Sequence, residues 1–286
     1  MKHINGKTKI IGILGKPVSH SASPQMHNYV IQKLGLNYVY VPIETINNDL
    51  SKTIQSLKQL NYAGFNVTIP YKEAIIPFLD EIDDYANKLG AVNTVLNKDG
   101  KLFGYNTDGA GFMMSLAKEA AYDVNHKRVC IIGAGGAAKS ISHALLEKNI
   151  LSLAIINRNK DRALELYQNL KSIYEKPISY HCLLDPQINM VLSSSDLIIN
   201  ATSVGMTPHE NMCPIRDVSW MKESQFFYDI VYNPEETMFL KQAYQKKALH
   251  LGGLGMLAGQ GAIAFNLFTN QDLSFLLFRE ALDNTL

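Results

Sequence analysis

The chain has 286 residues, 47% of them hydrophobic and 19% charged, with 27 Lys and Arg against 26 Asp and Glu for a formal charge of +1. At about 150 residues per domain this implies two domains, and the apolar share excludes a mostly disordered protein. The even charge balance gives no broad attraction for nucleic acid or an anionic membrane, and leaves room for a local basic pocket.

Cys130, Cys182 and Cys213 form an odd set with no C-x-x-C pair, and the histidines show neither H-x-x-x-H nor H-E-x-x-H spacing. Neither a disulfide framework nor a metal site is expected, and a reducing compartment suits the thiols. The opening run MKHINGKTKIIGILG is basic, but its apolar stretch, Ile10 to Leu14, is too short for a signal peptide. The uncharged tract 251–271 could span a bilayer by length alone. Its glycines, with Gln260, Asn266, Asn270 and Gln271, suit lipid poorly. A cytoplasmic protein without a membrane segment is expected.

Short apolar strands alternate with amphipathic stretches, the pattern of an α/β protein with mainly parallel sheets. In chain order, KIIGIL (9–14), YVYVPI (38–43) and GFNVTI (64–69) are predicted strands. Ser23-Pro24 opens a predicted helix, with Ser23 as its cap, and Gly35 ends it. From about residue 127 the alternation sharpens: strand RVCII (128–132), turn GAGGAA, helix KSISHALLEK, then strands SLAIIN (152–157), DLIIN (196–200) and QFFYDI (225–230). This is the order of a Rossmann-like dinucleotide-binding domain. The glycine-rich segment 252–261 leads into apolar helices near the C-terminus that return to complete the first domain. The expected division is 1–108 with 254–286, and 109–253.

Gly133-Ala134-Gly135-Gly136-Ala137-Ala138 fits G-x-G-x-x-A. The first glycine allows the tight turn and the second lets a pyrophosphate approach the backbone. The small residue at the end permits close helix–strand packing, and the helix N-terminus supplies N–H donors. The motif follows a strand and opens a helix, as its mechanism requires. At the end of the next strand an NAD site usually carries Asp or Glu. Here Asn157-Arg158-Asn159-Lys160-Asp161-Arg162 offers cationic donors suited to a 2′-phosphate, which favours NADP. Positive charge at a helix N-terminus opposes the helix dipole and calls for such a reason.

Four polar clusters precede this unit: Ser19-His20-Ser21-Ala22-Ser23-Pro24, Asn66-Val67-Thr68-Ile69-Pro70-Tyr71-Lys72, Gly90-Ala91-Val92-Asn93-Thr94 and Asn106-Thr107-Asp108-Gly109. Singly, each has an ordinary structural explanation: Ser23 as a cap, Lys72 as a solvated lysine, Asn93 as a turn residue, Asp108 as the cap of the helix from Gly109. Together and in this order they resemble the shikimate dehydrogenase family. Asn200-Ala201-Thr202-Ser203 before Gly205-Met206, Tyr228-Asp229 with Val231-Tyr232-Asn233-Pro234, and Gly255-Met256-Leu257 leading to Gln260 extend the resemblance from about Ile13 to Phe265.

The resemblance implies a two-domain enzyme that reversibly reduces 3-dehydroshikimate to shikimate with NADPH in aromatic amino-acid biosynthesis. By motif, Ser21 and Ser23 would hold the substrate carboxylate, and Asn66, Thr68, Asn93, Asp108 and Gln260 the ring hydroxyls, with Tyr232 nearby. Lys72 and Asp108 match the catalytic pair. The ammonium would protonate and stabilise the alkoxide left by hydride transfer. Cofactor contacts would fall on Gly133, Ala134, Gly135, Gly136, Ala137, Asn157, Arg158, Asn159, Arg162, Thr202, Ile230 and Gly253, although Ile230 and Met256 could equally be core.

Three positions depart from the family pattern: Asn159 where Thr often follows Arg, Lys139 where Arg is frequent, and Gly252 where many members carry Asp. A quinate/shikimate dehydrogenase using NAD or NADP is the nearest alternative. A non-catalytic sensor of NADP or a cyclic acid is an alternative of another class, with little need for the lysine–aspartate pair. Monomer and homodimer remain open.

Overall fold

A computed structural model describes residues 4–45 and 49–286, so Met1, Lys2 and His3 of the basic opening run lie outside the described residues. The chain divides into two compact units, Met1–Gly111 with Leu257–Leu286, and Phe112–Met256. Both crossings fall inside helices, about one turn later than the boundaries expected from sequence at 108 and 253.

The first unit begins with β1 (Lys9–Gly15), α1 (Ser23–Leu34), β2 (Tyr38–Glu44), α2 (Leu50–Gln59) and β3 (Gly64–Val67). It continues through β4 (Glu81–Ile82), α3 (Asp84–Leu89), β5 (Thr94–Lys98), β6 (Lys101–Tyr105) and the start of α4 (Asp108–Glu119). The sheet order is β2-β1-β3-β5-β6-β4. Strands β1, β2 and β3 are parallel, whereas β5 runs antiparallel to both β3 and β6. The predicted strand GFNVTI stops at Val67, where Thr68 and Ile69 leave the sheet for the loop that carries Lys72. Gly35 closes α1 in the left-handed conformation, at φ 62°. Ser23, however, is the first helical residue and not the cap. Helical geometry starts one residue early, with Ala22 as the cap, and the Ser21 hydroxyl accepts the Ser23 amide at 3.3 Å.

One histidine illustrates what this core demands. His27 of α1 is fully buried and stacks on Tyr40 with ring centroids 4.2 Å apart. Phe265 and Phe278 pack around it, and neither ring nitrogen has a hydrogen-bond partner among the described residues. Burial therefore lowers its pKa from the ordinary 6.5 to about 3 and keeps it neutral. The unfolded chain binds this proton first, so the contribution to stability is complete above pH 6.5. It falls by up to about 1.4 kcal/mol per pH unit as the pH drops towards 3. His27→Phe is expected to flatten the urea-unfolding free energy between about pH 6 and 4. Parallel slopes for variant and parent would refute this account.

The second unit continues α4 and adds β7 (Arg128–Ile132), α5 (Gly136–Leu146), β8 (Ser152–Asn157), α6 (Lys160–Lys171) and β9 (Ile178–Cys182). Then come α7 (Ile188–Ser194), β10 (Leu197–Asn200), β11 (Phe226–Asp229), α8 (Met238–Gln245), β12 (Leu249–Leu251) and the first residues of α9 (Leu254–Thr269). The remainder of α9 and α10 (Phe275–Thr285) belong to the first unit. All six strands are parallel, in the order β12-β11-β10-β7-β8-β9. This is the doubly wound Rossmann order, whose direction reverses between β7 and β10. Apolar layers cover both faces, one containing Phe112, Ile141 and Leu166, the other Trp220, Phe227 and Phe239. Strands buried on both sides explain the continuous apolar runs in the sequence. No helix among the described residues is long and apolar enough to cross a membrane.

Candidate active site

Lys72 follows β3 by a short loop, and Asp108 opens α4. Their side chains meet at 2.6 Å between Nζ and Oδ2, with the lysine mostly buried and the aspartate buried. Asn93, just before β5, donates from Nδ2 to the other Asp108 oxygen at 2.8 Å and to the Thr107 hydroxyl at 3.0 Å. Its Oδ1 accepts the Thr107 backbone N–H at 2.8 Å and the Thr94 hydroxyl at 2.9 Å. Both amide hydrogens of Asn93 are thus spent within the protein. The main chain adds a second tie, since the Lys72 carbonyl accepts the Val92 amide at 2.8 Å. Asp108 keeps acceptor capacity on both oxygens, and Lys72 keeps two N–H bonds without a partner among the described residues. An ammonium paired with a carboxylate and still able to donate is equipped to hold an alcohol oxygen and to move a proton.

Asn66 adjoins this group. Its Nδ2 donates to the Thr94 hydroxyl at 3.1 Å, and its Oδ1 accepts from the Tyr40 phenol at 2.8 Å. Burial holds the Tyr40 phenol well above its usual range, so it remains a donor. Thr68 lies against Gly15, where an added Cβ would stand 2.3 Å from its methyl carbon. Ser21 and Ser23 share the start of α1. Gln260 sits where α9 crosses α4: a Cβ on Gly111 would stand 2.5 Å from the Gln260 amide nitrogen, and one on Gly259 2.8 Å from the Gly111 carbonyl. Glycine at these positions lets the two backbones touch, which fixes Gln260 three residues along α4 from Asp108. Tyr40, Thr94 and Thr107 were not singled out from sequence. The two threonines flank Asn93 and Asp108 in the motifs, whereas the alternation of YVYVPI signals that Tyr40 is buried and says nothing of its partner.

In the second unit the glycine turn joins β7 to α5. Gly133 has φ 122° and lies against Ala201 and Thr202. Gly135 is the N-cap of α5, exposed at φ −92°, with no atom within 4 Å of an added Cβ and no side-chain cap on the helix. The first-turn amides of α5 are therefore open to an anion beside a bare backbone, which fits the pyrophosphate of a dinucleotide. On the neighbouring strand, Asn157 donates from Nδ2 to the Asn159 carbonyl at 2.9 Å. Asn159 caps α6 by accepting the Arg162 amide at 3.1 Å, a task that asparagine performs as well as threonine. Arg158 and Arg162 are exposed, with no side-chain partner among the described residues.

Thr202 follows β10 and donates to the Asn200 amide oxygen at 2.7 Å. Ile230 and Tyr232 follow β11, and the Gly253 amide donates to the Val231 carbonyl at 3.1 Å. All lie at the carboxyl ends of the parallel strands, where ligands bind in such sheets. The predicted residues thus form two groups, Tyr232 with the cofactor residues in the second unit and the other substrate residues in the first. No group of three or more potential metal ligands occurs among the described residues.

A Rossmann-type unit joined to a second α/β unit that carries a buried lysine–carboxylate pair defines a two-domain dehydrogenase. Residues 13–95 match the family described as shikimate dehydrogenase substrate binding domain, residues 115–234 shikimate / quinate 5-dehydrogenase, and residues 253–282 the shikimate 5'-dehydrogenase C-terminal domain. The chain belongs to the shikimate dehydrogenase family. It is 41% identical to the shikimate dehydrogenase (NADP(+)) of Alkaliphilus oremlandii, with 93% of each chain covered. Among solved structures it resembles shikimate 5-dehydrogenase of Listeria monocytogenes in complex with shikimate and NAD (35% identity, 99% of each chain, TM-score 0.90). It also resembles the Thermus thermophilus enzyme in complex with NADP(H) and shikimate (33% identity, 98% of this chain and 100% of that one, TM-score 0.86).

Proposed function

We propose that the chain catalyses the reversible NADPH-dependent reduction of 3-dehydroshikimate to shikimate, with Lys72 and Asp108 as its catalytic pair. The observation that carries this reading is the 2.6 Å contact between the two side chains, which leaves N–H bonds of Lys72 available to a substrate oxygen. Bound NADPH would supply the hydride that the carbonyl carbon accepts. Lys72 donates to the carbonyl oxygen, stabilises the charge that develops there and delivers the proton that completes the alcohol. Asp108 orients the ammonium and accepts from a ring hydroxyl, and Asn93 holds Asp108 in place. Ser21 and Ser23 take the substrate carboxylate, and Thr68, Asn66, Asn93 and Gln260 take the ring hydroxyls, with Tyr232 a further substrate residue.

The cofactor reading rests on residues of the second unit. The α5 amides around Gly135 and Gly136 receive the pyrophosphate, with Gly133, Ala134 and Ala137 completing the turn. Asn157, Arg158, Asn159 and Arg162 receive the adenosine ribose and its 2′-phosphate, and Thr202, Ile230 and Gly253 line the remainder. The three free thiols fit a reducing cytoplasm.

Initial rates for shikimate or quinate, each with NADP or NAD, test the assignment. A strong preference for shikimate with NADP is expected. Comparable rates with quinate or NAD would indicate a dual-specificity enzyme, and no turnover in any combination would overturn the proposal. Arg158→Ala is expected to raise KM for NADP by roughly 10- to 100-fold, the loss of about 1.5–3 kcal/mol from a charge-assisted contact, and to leave KM for NAD unchanged. Equal effects on both cofactors would remove Arg158 from the 2′-phosphate site.

A further inference from the structure

Asn200 and Asp229 end the neighbouring strands β10 and β11 and face each other in register. The Asp229 carboxylate is fully buried. Its Oδ1 accepts the Asn200 Nδ2 at 2.9 Å and the Val231 backbone N–H at 3.0 Å, and its Oδ2 accepts the Thr237 hydroxyl at 2.6 Å. No cation among the described residues pairs with it. Each partner belongs to a segment that leads away from the sheet. Asn200 Oδ1 accepts both the Thr202 amide at 3.1 Å and the Thr202 hydroxyl at 2.7 Å, while its Nδ2 also reaches the Val204 carbonyl at 3.2 Å. Val231 immediately precedes Tyr232, and the Thr207 amide joins the two loops by donating to the Asn233 carbonyl at 3.1 Å. Thr202 in turn borders the dinucleotide turn, since a Cβ on Gly133 would lie 3.1 Å from its methyl carbon.

We propose that Asp229 is a positioning residue for the dehydrogenase reaction, gathering the Asn200 turn and the Val231–Tyr232 loop onto one carboxylate and so presenting Thr202 and Tyr232 for binding. The inference rests on the function proposed above. Burial raises the Asp229 carboxyl from its ordinary 3.8 to about 6. A raised folded pKa means that stability is lost as the pH rises from 3.8 to about 6, and the cost of keeping the group ionised is complete above that. Packing alone would be served better by a neutral amide of the same shape, so the retained charge answers to another requirement. The titratable group beside Asp229 is the Cys213 thiol, while the neighbouring Tyr228 phenol lies on the opposite face of the sheet against Ser115. Burial raises both, and they stay neutral while Asp229 titrates.

Asp229→Asn tests this, with KM for NADP read as the ratio of variant to wild type so that the titration of the cofactor's own 2′-phosphate cancels. At about pH 8 the variant is expected to melt no lower than wild type, with kcat little changed and the KM ratio near tenfold, the effect of weakening a buried charged hydrogen bond. As the pH falls through about 6 towards 5 the ratio should approach one, because wild-type Asp229 then loses its own charge. A ratio near one at high pH, or a raised ratio that ignores pH, would overturn the proposal. Should Asp229→Asn not fold, Thr237→Val removes one donor from the carboxylate and should move the rise in KM to higher pH, with Thr237→Ser restoring it. An unmoved profile would be equally fatal. If the wild type oxidises no shikimate, the proposed function fails instead, and calorimetric titration with NADP still measures the same ratio as Kd.

Discussion

Lys72→Ala is expected to lower kcat by about 10³-fold, within the range for loss of a positioned proton donor that also stabilises developing charge. KM for 3-dehydroshikimate should change little. The ground-state carbonyl bears only a partial charge, so the contact with Lys72 strengthens chiefly as hydride arrives. In the proposed reading substrate binding would be spread over Ser21, Ser23, Thr68 and Gln260, none of which depends on the lysine for its placement. Asp108 keeps the 2.8 Å bond from Asn93, which preserves its orientation in the variant. Steady-state kinetics with circular dichroism as a folding control check this. A kcat within tenfold of wild type would exclude Lys72 from the proton step, whereas a large rise in KM at constant kcat would make it a binding residue only.

The glycine turn supports an equally large prediction, in which two neighbouring glycines give opposite results. Gly133→Ala is expected to destabilise the protein itself. The residue has φ 122°, and the new Cβ would approach the Ala201 carbonyl oxygen to 2.8 Å. Gly135→Ala should leave the melting temperature of the cofactor-free protein within about two degrees, because its φ of −92° suits any residue and the added methyl meets nothing. The same methyl projects from the backbone where a pyrophosphate would rest, so Kd for NADP should rise by about 100-fold, as misplaced contacts around bound phosphates do. Thermal melts with and without NADP separate the two effects. If Gly135→Ala keeps wild-type affinity, the anion does not bind at this turn.

The two halves of the molecule differ in how openly the sequence declares them. Strands β7 and β8 coincide with RVCII and SLAIIN because both faces of that sheet are covered, so each strand is a continuous apolar run. The glycine motif was visible for the same local reason. In the first unit β5 and β6 carry no such signature, since Asn97, Lys98 and Lys101 dilute any apolar pattern. The Asp99-Gly100 pair at their tip, with φ 52° and 84°, was the available signal for a tight hairpin. The clustering of Lys72, Asn93 and Asp108 followed from motif resemblance and not from spacing, because the bonds that unite them link residues 15 and 36 positions apart. Least legible was Asp229. Its letter lies in a quoted motif, but the role argued for it depends on partners 29 residues earlier and 8 later in the chain.

The hairpin has a consequence for how this family can vary. Asn93 and Asn106 stand just beyond the open ends of β5 and β6, and the ladder counts from Lys98 opposite Lys101 to Thr94 opposite Tyr105. The two legs act as a ruler of about 17 Å, read from a surface tip down to the carboxylate of Asp108. Adding one residue to either leg slips the count, turns every later side chain to the other face and parts Asn93 from Thr107 and Asp108. An extra residue at the tip is absorbed there and alters nothing below. Length polymorphism should therefore collect at Asp99 and Gly100 and stop abruptly on both sides, a boundary drawn by arithmetic at a distance from any chemistry.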